Sequence, residues 1–216
     1  MFTTAVFDLD GTLIDSLEDI ADAVNFGLEK MGYDTHPLPS FKGFVGNGAL
    51  KLCERALGEH GDEEKTKKLH EYFSLYYNEH CMDKTVPYNG ISELLKTLKD
   101  NGVKICAASN KPHDFTRLLI EKIFGKDTFS VIYGKQSSRP VKPDPAIILD
   151  ILKELNENKK NAIMIGDSNV DITTALNAGI SSIGCEWGFR TREELLSAGA
   201  EYIVSSPEEI AKIILK

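Results

Sequence analysis

The sequence has few of the features that mark a membrane, secreted or nucleic-acid-binding protein. It contains no apolar run of about 18 residues, the length that a membrane-spanning helix needs. Residues 1–4 carry no basic cluster and lead directly into an apolar segment, so we expect no signal peptide. Basic residues number 25 against 33 acidic ones, and the net charge of −8 argues against a nucleic-acid-binding surface.

Cysteine is scarce as well. The chain has four cysteines, and none of them forms a C-x-x-C pair. Isolated cysteines favour reduced, buried thiols over a disulfide framework or a zinc site. We therefore expect a cytoplasmic protein. The hydrophobic share of 42% and the charged share of 27% are ordinary for a globular chain.

Short apolar runs alternate with amphipathic segments along most of the chain. Their length is that of buried strands. They lie at residues 3–7, 103–108, 131–133, 162–165, 182–185 and 202–204. Buried strands separated by helical segments indicate βαβ units, and hence a parallel sheet covered on both faces. We predict an α/β fold with a Rossmann-like, doubly wound parallel sheet.

One region lacks strands altogether. Between residues 16 and 84 the apolar positions follow helical periodicity only, in three stripes. The stripes are Ile20, Ala23, Val24, Gly27 and Leu28; Leu50, Cys53, Ala56 and Leu57; and Leu69, Phe73, Tyr76 and Tyr77. The pattern predicts a helical domain, residues 16–84, inserted after the first strand of a core formed by residues 1–15 and 85–216.

Polar and charged side chains collect near the ends of the predicted strands, where an open α/β sheet places its ligand crevice. They are Asp8 and Asp10 after the first strand, Ser109 and Asn110 after the second, Lys142 before a proline, and Asp167 and Asp171 after a later strand. Each group alone is also explained by turns, helix caps or a solvated loop. Together they indicate one site with several carboxylates, a hydroxyl and a lysine.

The order of these groups resembles the four motifs of the haloacid-dehalogenase-type hydrolase superfamily. The motif residues stand as Asp8-Leu9-Asp10-Gly11-Thr12, then Ser109, Lys142 and Asp167 with Asp171. The resemblance covers the whole chain, because the inserted helices match the small cap domain of that superfamily. It implies a catalytic core of residues 1–15 and 85–216 and a helical cap of residues 16–84.

The resemblance implies phosphoryl chemistry. Asp8 would attack phosphorus to form an aspartyl phosphate. Asp10 would protonate the leaving oxygen and then deprotonate water. The transferring phosphoryl oxygens would be bound and neutralised by Ser109 and Lys142. Backbone N–H groups around Leu9, Asp10 and Asn110 would complete the phosphate cradle.

The resemblance also implies a metal ion, because several carboxylates crowd beside a phosphate. Mg²⁺ is expected, since it prefers oxygen ligands and retains water. Its ligands would be the Asp8 side chain, the Asp10 backbone carbonyl and the Asp167 side chain, with Asp171 in support.

Single residues distinguish the branches of the superfamily. Dehalogenases lack an aspartate where this chain has Asp10. Sugar-phosphate mutases of the phosphoglucomutase type have a histidine in place of Ile20 and an arginine where the cap loop offers Gly46. The chain is most similar to the bacterial phosphoglycolate phosphatase branch, through residues 15–25, 45–57, 187–190 and 198–202. A pyrophosphatase, a broad-range sugar-phosphate phosphatase and a catalytically idle phospho-ligand-binding protein remain as alternatives.

The cap would have to supply selectivity, because the core motifs touch only the phosphoryl group. Gly46 and Asn47 lie in a loop that opens a helix, and its N–H groups can bind a carboxylate. Lys42, Lys51 or Arg55 can add positive charge; the alternative is a tight turn with solvated basic residues. The expected partner is a small phosphorylated metabolite, without nucleic acid or membrane, bound by a monomer or weak homodimer.

Overall fold

The computed structural model describes all residues, Met1–Lys216. The strands are β1 (Thr4–Phe7), β2 (Ile14–Asp15), β3 (Val86–Pro87), β4 (Lys104–Pro112), β5 (Val131–Lys135), β6 (Ala162–Gly166), β7 (Ser181–Cys185) and β8 (Tyr202–Val204). The helices are α1 (Leu17–Lys30), α2 (Phe41–Phe44), α3 (Ala49–Leu57), α4 (Glu63–His80), α5 (Ile91–Asp100), α6 (His113–Phe124), α7 (Ala146–Glu154), α8 (Asn169–Ala178), α9 (Arg192–Ser197) and α10 (Pro207–Ile214). Short 3₁₀ turns lie at Leu38–Ser40, Gly58–His60 and Lys159–Asn161.

The chain divides into two compact units. The first comprises Met1–Ile14 and Pro87–Lys216, and the second is Asp15–Val86. No helix in either unit combines the length and the apolar character that crossing a membrane requires.

A six-stranded sheet organises the first unit. Its strand order is β5-β4-β1-β6-β7-β8, and the ladders are parallel. The chain runs outward from β1 through β4 and β5 and then returns to β6 on the other side, so the order reverses beside β1. All four residues of β1 are buried, as its apolar sequence predicts for a central strand. The predicted α/β fold with a doubly wound parallel sheet is confirmed.

The sheet register brings the ends of three strands to one edge. Phe7, the last residue of β1, lies opposite Ala107 of β4 and Ile165 of β6. Ligands of doubly wound sheets bind outside the carboxyl ends of the strands, where the strand order reverses. The residues that follow Phe7 and Ile165 therefore occupy the position expected of a binding crevice.

The second unit is helical. Every member of the first predicted stripe, on α1, is buried. In α3 the prediction was wrong for Leu50, which is 44% exposed, while Leu52 is buried. Leu50 is the second residue of α3, and the buried face of this helix comprises Leu52, Cys53, Ala56 and Leu57.

A buried carboxylate holds the return segment of the helical unit. Asp19 of α1 accepts hydrogen bonds from the backbone N–H groups of Lys84 and Thr85, at 3.0 and 2.9 Å, and from the Thr85 hydroxyl at 2.6 Å. These bonds fix residues 84–85 on the helix that opens the unit. The apolar pattern of the sequence gave no sign of this role for Asp19.

Candidate active site

Asp8 lies directly after β1. Its Oδ1 accepts hydrogen bonds from the Leu9 backbone N–H at 2.7 Å and from Lys142 Nζ at 2.9 Å. Its Oδ2 has no protein donor, and the side chain is 14% exposed. One oxygen is therefore fixed, and the other is free to react or to bind a ligand. The Leu9 N–H, predicted to bind phosphate, is engaged by Asp8 in this structure.

Lys142 is buried, with 1% of its side chain exposed, so the solvated-loop alternative is wrong for this residue. Its ammonium group contacts Asp8 at 2.9 Å and Asp171 at 2.6 Å. The Asn110 side chain holds the Lys142 backbone from both sides: Nδ2 donates to the carbonyl at 3.0 Å, and Oδ1 accepts from the N–H at 2.8 Å. Asn110 thus fixes the segment that carries the lysine.

Asp167 and Asp171 follow β6. The Asp167 carboxylate accepts hydrogen bonds from the Thr12 hydroxyl at 2.9 Å and from the Phe189 N–H at 2.8 Å. Asp171 bonds to Lys142 through Oδ1 and to the Ser168 N–H and hydroxyl through Oδ2. Asp171, unlike Asp167, is already neutralised by an ammonium group, that of Lys142 at 2.6 Å, which suits a supporting role better than direct ligation.

Two glycines enclose Asp167. Gly11 has φ +86°, and a Cβ there would lie 2.4 Å from the Asp167 Oδ2. A Cβ on Gly188 would lie 2.2 Å from the Asp167 Cβ. Any larger residue at either position would displace the carboxylate, so the backbone itself shapes this part of the site.

The three aspartates Asp8, Asp167 and Asp171 form a buried acidic cluster. One carboxylate oxygen of each lies within 4.8 Å of the others. Burial, and then the charge of Asp171, raise the pKa of Asp8 to about 8 and that of Asp167 to about 7. Burial acts to lower the pKa of Lys142, but Asp171 and Asp8 together raise it above its usual value. Negative charge thus exceeds what one lysine neutralises, and a cation is favoured here.

The end of β4 supplies a hydroxyl and a second lysine. Ser109 is 2% exposed, and its Oγ accepts a hydrogen bond from the Lys111 N–H at 3.2 Å. Lys111 Nζ contacts both carboxylate oxygens of Asp10, at 3.0 and 3.2 Å. No role was predicted for Lys111. Its position directly after Ser109 and Asn110 was the available signal.

The remaining candidates, Lys42, Gly46 and Asn47, belong to the helical unit. Lys42 is exposed on α2, and Gly46 has φ +119° in the loop before α3. Arg55 donates to Asn47 Oδ1 at 2.7 Å and to the Phe44 carbonyl at 2.8 Å. Its guanidinium group therefore holds the loop together.

The sequence is similar to those of proteins whose family is known. The model of the family described as haloacid dehalogenase-like hydrolase matches residues 5–185. A phosphoglycolate phosphatase from Psychrobacter arcticus is 36% identical over 198 residues, which cover 88% of this chain and 86% of the relative. A phosphoglycolate phosphatase from Aquifex aeolicus is 30% identical over 209 residues, which cover 97% and 95%.

Solved structures share the fold. A protein from Lactobacillus delbrueckii, provisionally named a phosphoglycolate phosphatase, superposes with a TM-score of 0.95 at 31% identity. The match covers 99% of this chain and 98% of that one. A protein from Clostridium acetobutylicum, provisionally named a phosphatase, gives a TM-score of 0.89 at 34% identity and covers 100% and 99%. The similarity therefore extends over nearly the whole chain.

Proposed function

Because the chain belongs to the haloacid dehalogenase-like hydrolase family, we propose that it is a magnesium-dependent phosphatase that hydrolyses 2-phosphoglycolate through an aspartyl phosphate. The observation that carries the proposal is the Asp8 carboxylate, with one oxygen fixed by Leu9 and Lys142 and the other unoccupied by any protein donor. The relatives named phosphoglycolate phosphatase, at 36% and 30% identity, support the substrate.

In the first step Asp8 Oδ2 bonds to phosphorus while the bond from phosphorus to the leaving oxygen breaks. Asp10 gives a proton to that oxygen, so glycolate leaves as the alcohol. In the second step Asp10 takes a proton from water as the water oxygen bonds to phosphorus. Phosphate leaves, and the Asp8 carboxylate is restored.

The buried residues around Asp8 are suited to holding the phosphoryl group. Lys142 already contacts Asp8 and carries the positive charge that phosphoryl oxygens need. The hydrogen of the Ser109 hydroxyl is taken up by no protein acceptor, so it can be donated to a phosphoryl oxygen. Asn110 contributes by fixing the Lys142 backbone.

The acidic cluster fits a magnesium ion, because its donors are all carboxylate oxygens and it carries an excess of negative charge. Asp8, Asp167 and the Asp10 backbone carbonyl would hold the ion, and Asp171 would support it through Lys142 and Ser168. When bound, Mg²⁺ offsets the repulsion between the carboxylates and the phosphate.

The helical unit would act as the cap that selects the substrate. Since Arg55 holds Asn47 and the Phe44 carbonyl, we assign it to shaping the loop rather than to binding substrate. Replacing Arg55 by Met should raise KM for 2-phosphoglycolate about tenfold, because a loosened loop loses orientation. KM for p-nitrophenyl phosphate should change little. Lys67→Met, which removes an exposed positive charge of α4, is the matched control. Equal effects of Arg55→Met on both substrates would contradict selection by this loop.

Phosphate release from a panel of substrates tests the proposed function. The panel should contain 2-phosphoglycolate, pyrophosphate, glucose 1-phosphate and p-nitrophenyl phosphate, each with Mg²⁺ and with EDTA. The highest kcat/KM is expected for 2-phosphoglycolate, with turnover lost in EDTA. A higher kcat/KM for pyrophosphate or a sugar phosphate would mean that this compound, and not 2-phosphoglycolate, is the substrate. Absence of turnover on the whole panel would overturn the proposal.

The partner proposed for the chain is therefore a small phosphorylated metabolite. The monomeric or weakly dimeric state and the cytoplasmic location stay predictions. Sedimentation and fractionation of the native protein test them.

A further inference from the structure

A second buried ion pair lies beside the acidic cluster. Only 6% of the Lys111 side chain and 13% of the Asp10 side chain are exposed. Lys111 Nζ lies 3.0 Å from Asp10 Oδ1 and 3.2 Å from Oδ2. Lysine is almost never buried unless it is paired. The roles proposed above for the other site residues do not explain why Lys111 pairs with both oxygens of Asp10.

The backbone of Lys111 is fixed on both sides. Its N–H donates to Ser109 Oγ at 3.2 Å, and its carbonyl accepts from the Thr116 hydroxyl at 3.2 Å. A Cβ on Gly134 of β5 would lie 2.7 Å from the same carbonyl oxygen, so the neighbouring strand packs directly against it. The lysine thus starts from a rigid base, which limits where its ammonium group can lie.

The two buried lysines serve different carboxylates. Lys142 contacts Asp8 and Asp171 and makes no ion pair with Asp10. Lys111 pairs with Asp10. In the proposed reaction Asp8 acts at phosphorus and Asp10 acts at the leaving oxygen. The site therefore has one lysine on the side of the nucleophile and another on the side of the acid.

We propose that Lys111 is a positioning residue that holds the Asp10 carboxyl group in the orientation from which it reaches the leaving oxygen. The proposal rests on the acid/base role of Asp10 given above. Stability explains the pair less well, since a buried ion pair often contributes no more than apolar residues of similar volume. Bonding of one ammonium group to both oxygens restricts rotation of the Asp10 side chain, and general acid catalysis depends on that geometry.

Kinetics of five variants test the inference. They are Lys111→Met, Lys111→Arg, Asp10→Asn, the double variant Asp10→Asn with Lys111→Met, and the control Lys104→Met. Lys104 lies at the start of the same strand and pairs with Glu157, away from Asp10. Values of kcat and KM are measured in saturating Mg²⁺ on 2-phosphoglycolate and p-nitrophenyl phosphate, and a melting curve of each variant shows that it is folded under the assay conditions.

Lys111→Met should lower kcat for 2-phosphoglycolate by about tenfold to a hundredfold, with KM within about twofold of the parent value. The loss of kcat/KM, which reports formation of the aspartyl phosphate, should be smaller on p-nitrophenyl phosphate, because nitrophenolate leaves without a proton. Lys111→Arg should recover part of kcat, and Lys104→Met should keep it. In the Asp10→Asn background, Lys111→Met should cause no further loss, since a residue that acts through Asp10 has nothing left to position.

Three results would overturn the inference. They are equal losses of kcat/KM on both substrates, a raised KM with unchanged kcat, and losses that add fully in the double variant. If Lys111→Met is unfolded in the assay, the ratio of the two substrates for Lys111→Arg decides in the same way. Failure of the acid/base role itself is recognised separately, because Asp10→Asn alone would then lower kcat/KM equally for both substrates.

Discussion

The two ends of the central strands hold their carboxylates in opposite ways. At the amino ends, Glu157 accepts hydrogen bonds from Asn161 and the Asn158 N–H, and from Thr3 and Lys104. At the carboxyl ends, three aspartates form a buried cluster, and one lysine contacts two of them. The same sheet therefore carries a carboxylate surrounded by donors at one edge and carboxylates that repel one another at the other.

The pKa values show what this difference means. Bonds from Asn161 and the Asn158 N–H lower the pKa of Glu157 to about 2, so its ionised form stabilises the fold. Burial and the charge of Asp171 raise the pKa of Asp8 to about 8, so its ionised form is disfavoured until a cation binds. The amino edge stabilises the fold. The carboxyl edge retains repulsion between carboxylates, which the proposed metal ion would offset.

Replacing Asp8 by Asn should have the largest effect, because it removes the proposed nucleophile and leaves the rest of the cluster in place. We expect kcat for 2-phosphoglycolate to fall by about a thousandfold or more, since an amide cannot form the acyl phosphate. Phosphate release and circular dichroism measure activity and folding. Glu157→Gln, at the opposite edge, is the matched control and should keep kcat. Turnover of Asp8→Asn within about tenfold of the parent would show that Asp8 is not the nucleophile.

The next largest effect should be a difference between the parent and Asp8→Asn in how the stability of the metal-free protein depends on pH. The folded-state pKa of Asp8 lies above the unfolded value of 3.8, so the folded state binds more protons between about pH 4 and pH 8. Stability of the metal-free parent should therefore fall as the pH rises through this window, by up to about 1.4 kcal/mol per pH unit for such a group. Asp8→Asn should be the more stable protein at pH 8, and the two should converge near pH 4.

Thermal melting in EDTA and in Mg²⁺ measures this effect. Mg²⁺ should raise the melting temperature of the parent more at pH 8 than at pH 5.5, because fewer protons compete for the carboxylates at the higher pH. The same addition should affect Asp8→Asn less. Equal gains for both proteins at both pH values would mean that the ion stabilises the chain elsewhere.

Most of the sheet and the acidic residues could be predicted from the sequence. Apolar runs such as the four residues of β1 are too short for a typical helix, so they indicate strands. A parallel sheet of these strands then brings Asp8 and Asp167 to one edge. The helix α1 could be predicted from its periodicity, since its apolar residues recur at helical spacing and form one buried face.

The supporting side-chain contacts could not be predicted, because the partners are distant in the sequence. Lys111 is 101 residues from Asp10, and Asn110 is 32 residues from Lys142. No local pattern distinguishes a lysine that pairs inside a site from one in solvent. Asp19 is a similar case, since the segment that it holds lies 65 residues away.

The smallest expected effect concerns the amino edge, where Glu157→Gln should lower the free energy of unfolding at pH 7 by about 2 kcal/mol, as expected for lost hydrogen bonds to a charged group. The folded pKa of about 2 lies below the ordinary glutamate value of 4.5, so this stabilisation is present above about pH 4.5 and is lost as the pH falls towards 2. The difference in the free energy of unfolding between the parent and Glu157→Gln should therefore be smaller at pH 3 than at pH 7. For Asp8, by contrast, the ionisable group costs stability as the pH rises. Urea unfolding at both pH values measures it, with Glu71→Gln, an exposed position in α4, as the control. A gap that stays constant with pH would mean that Glu157 stabilises the strands through shape and packing rather than through its charge.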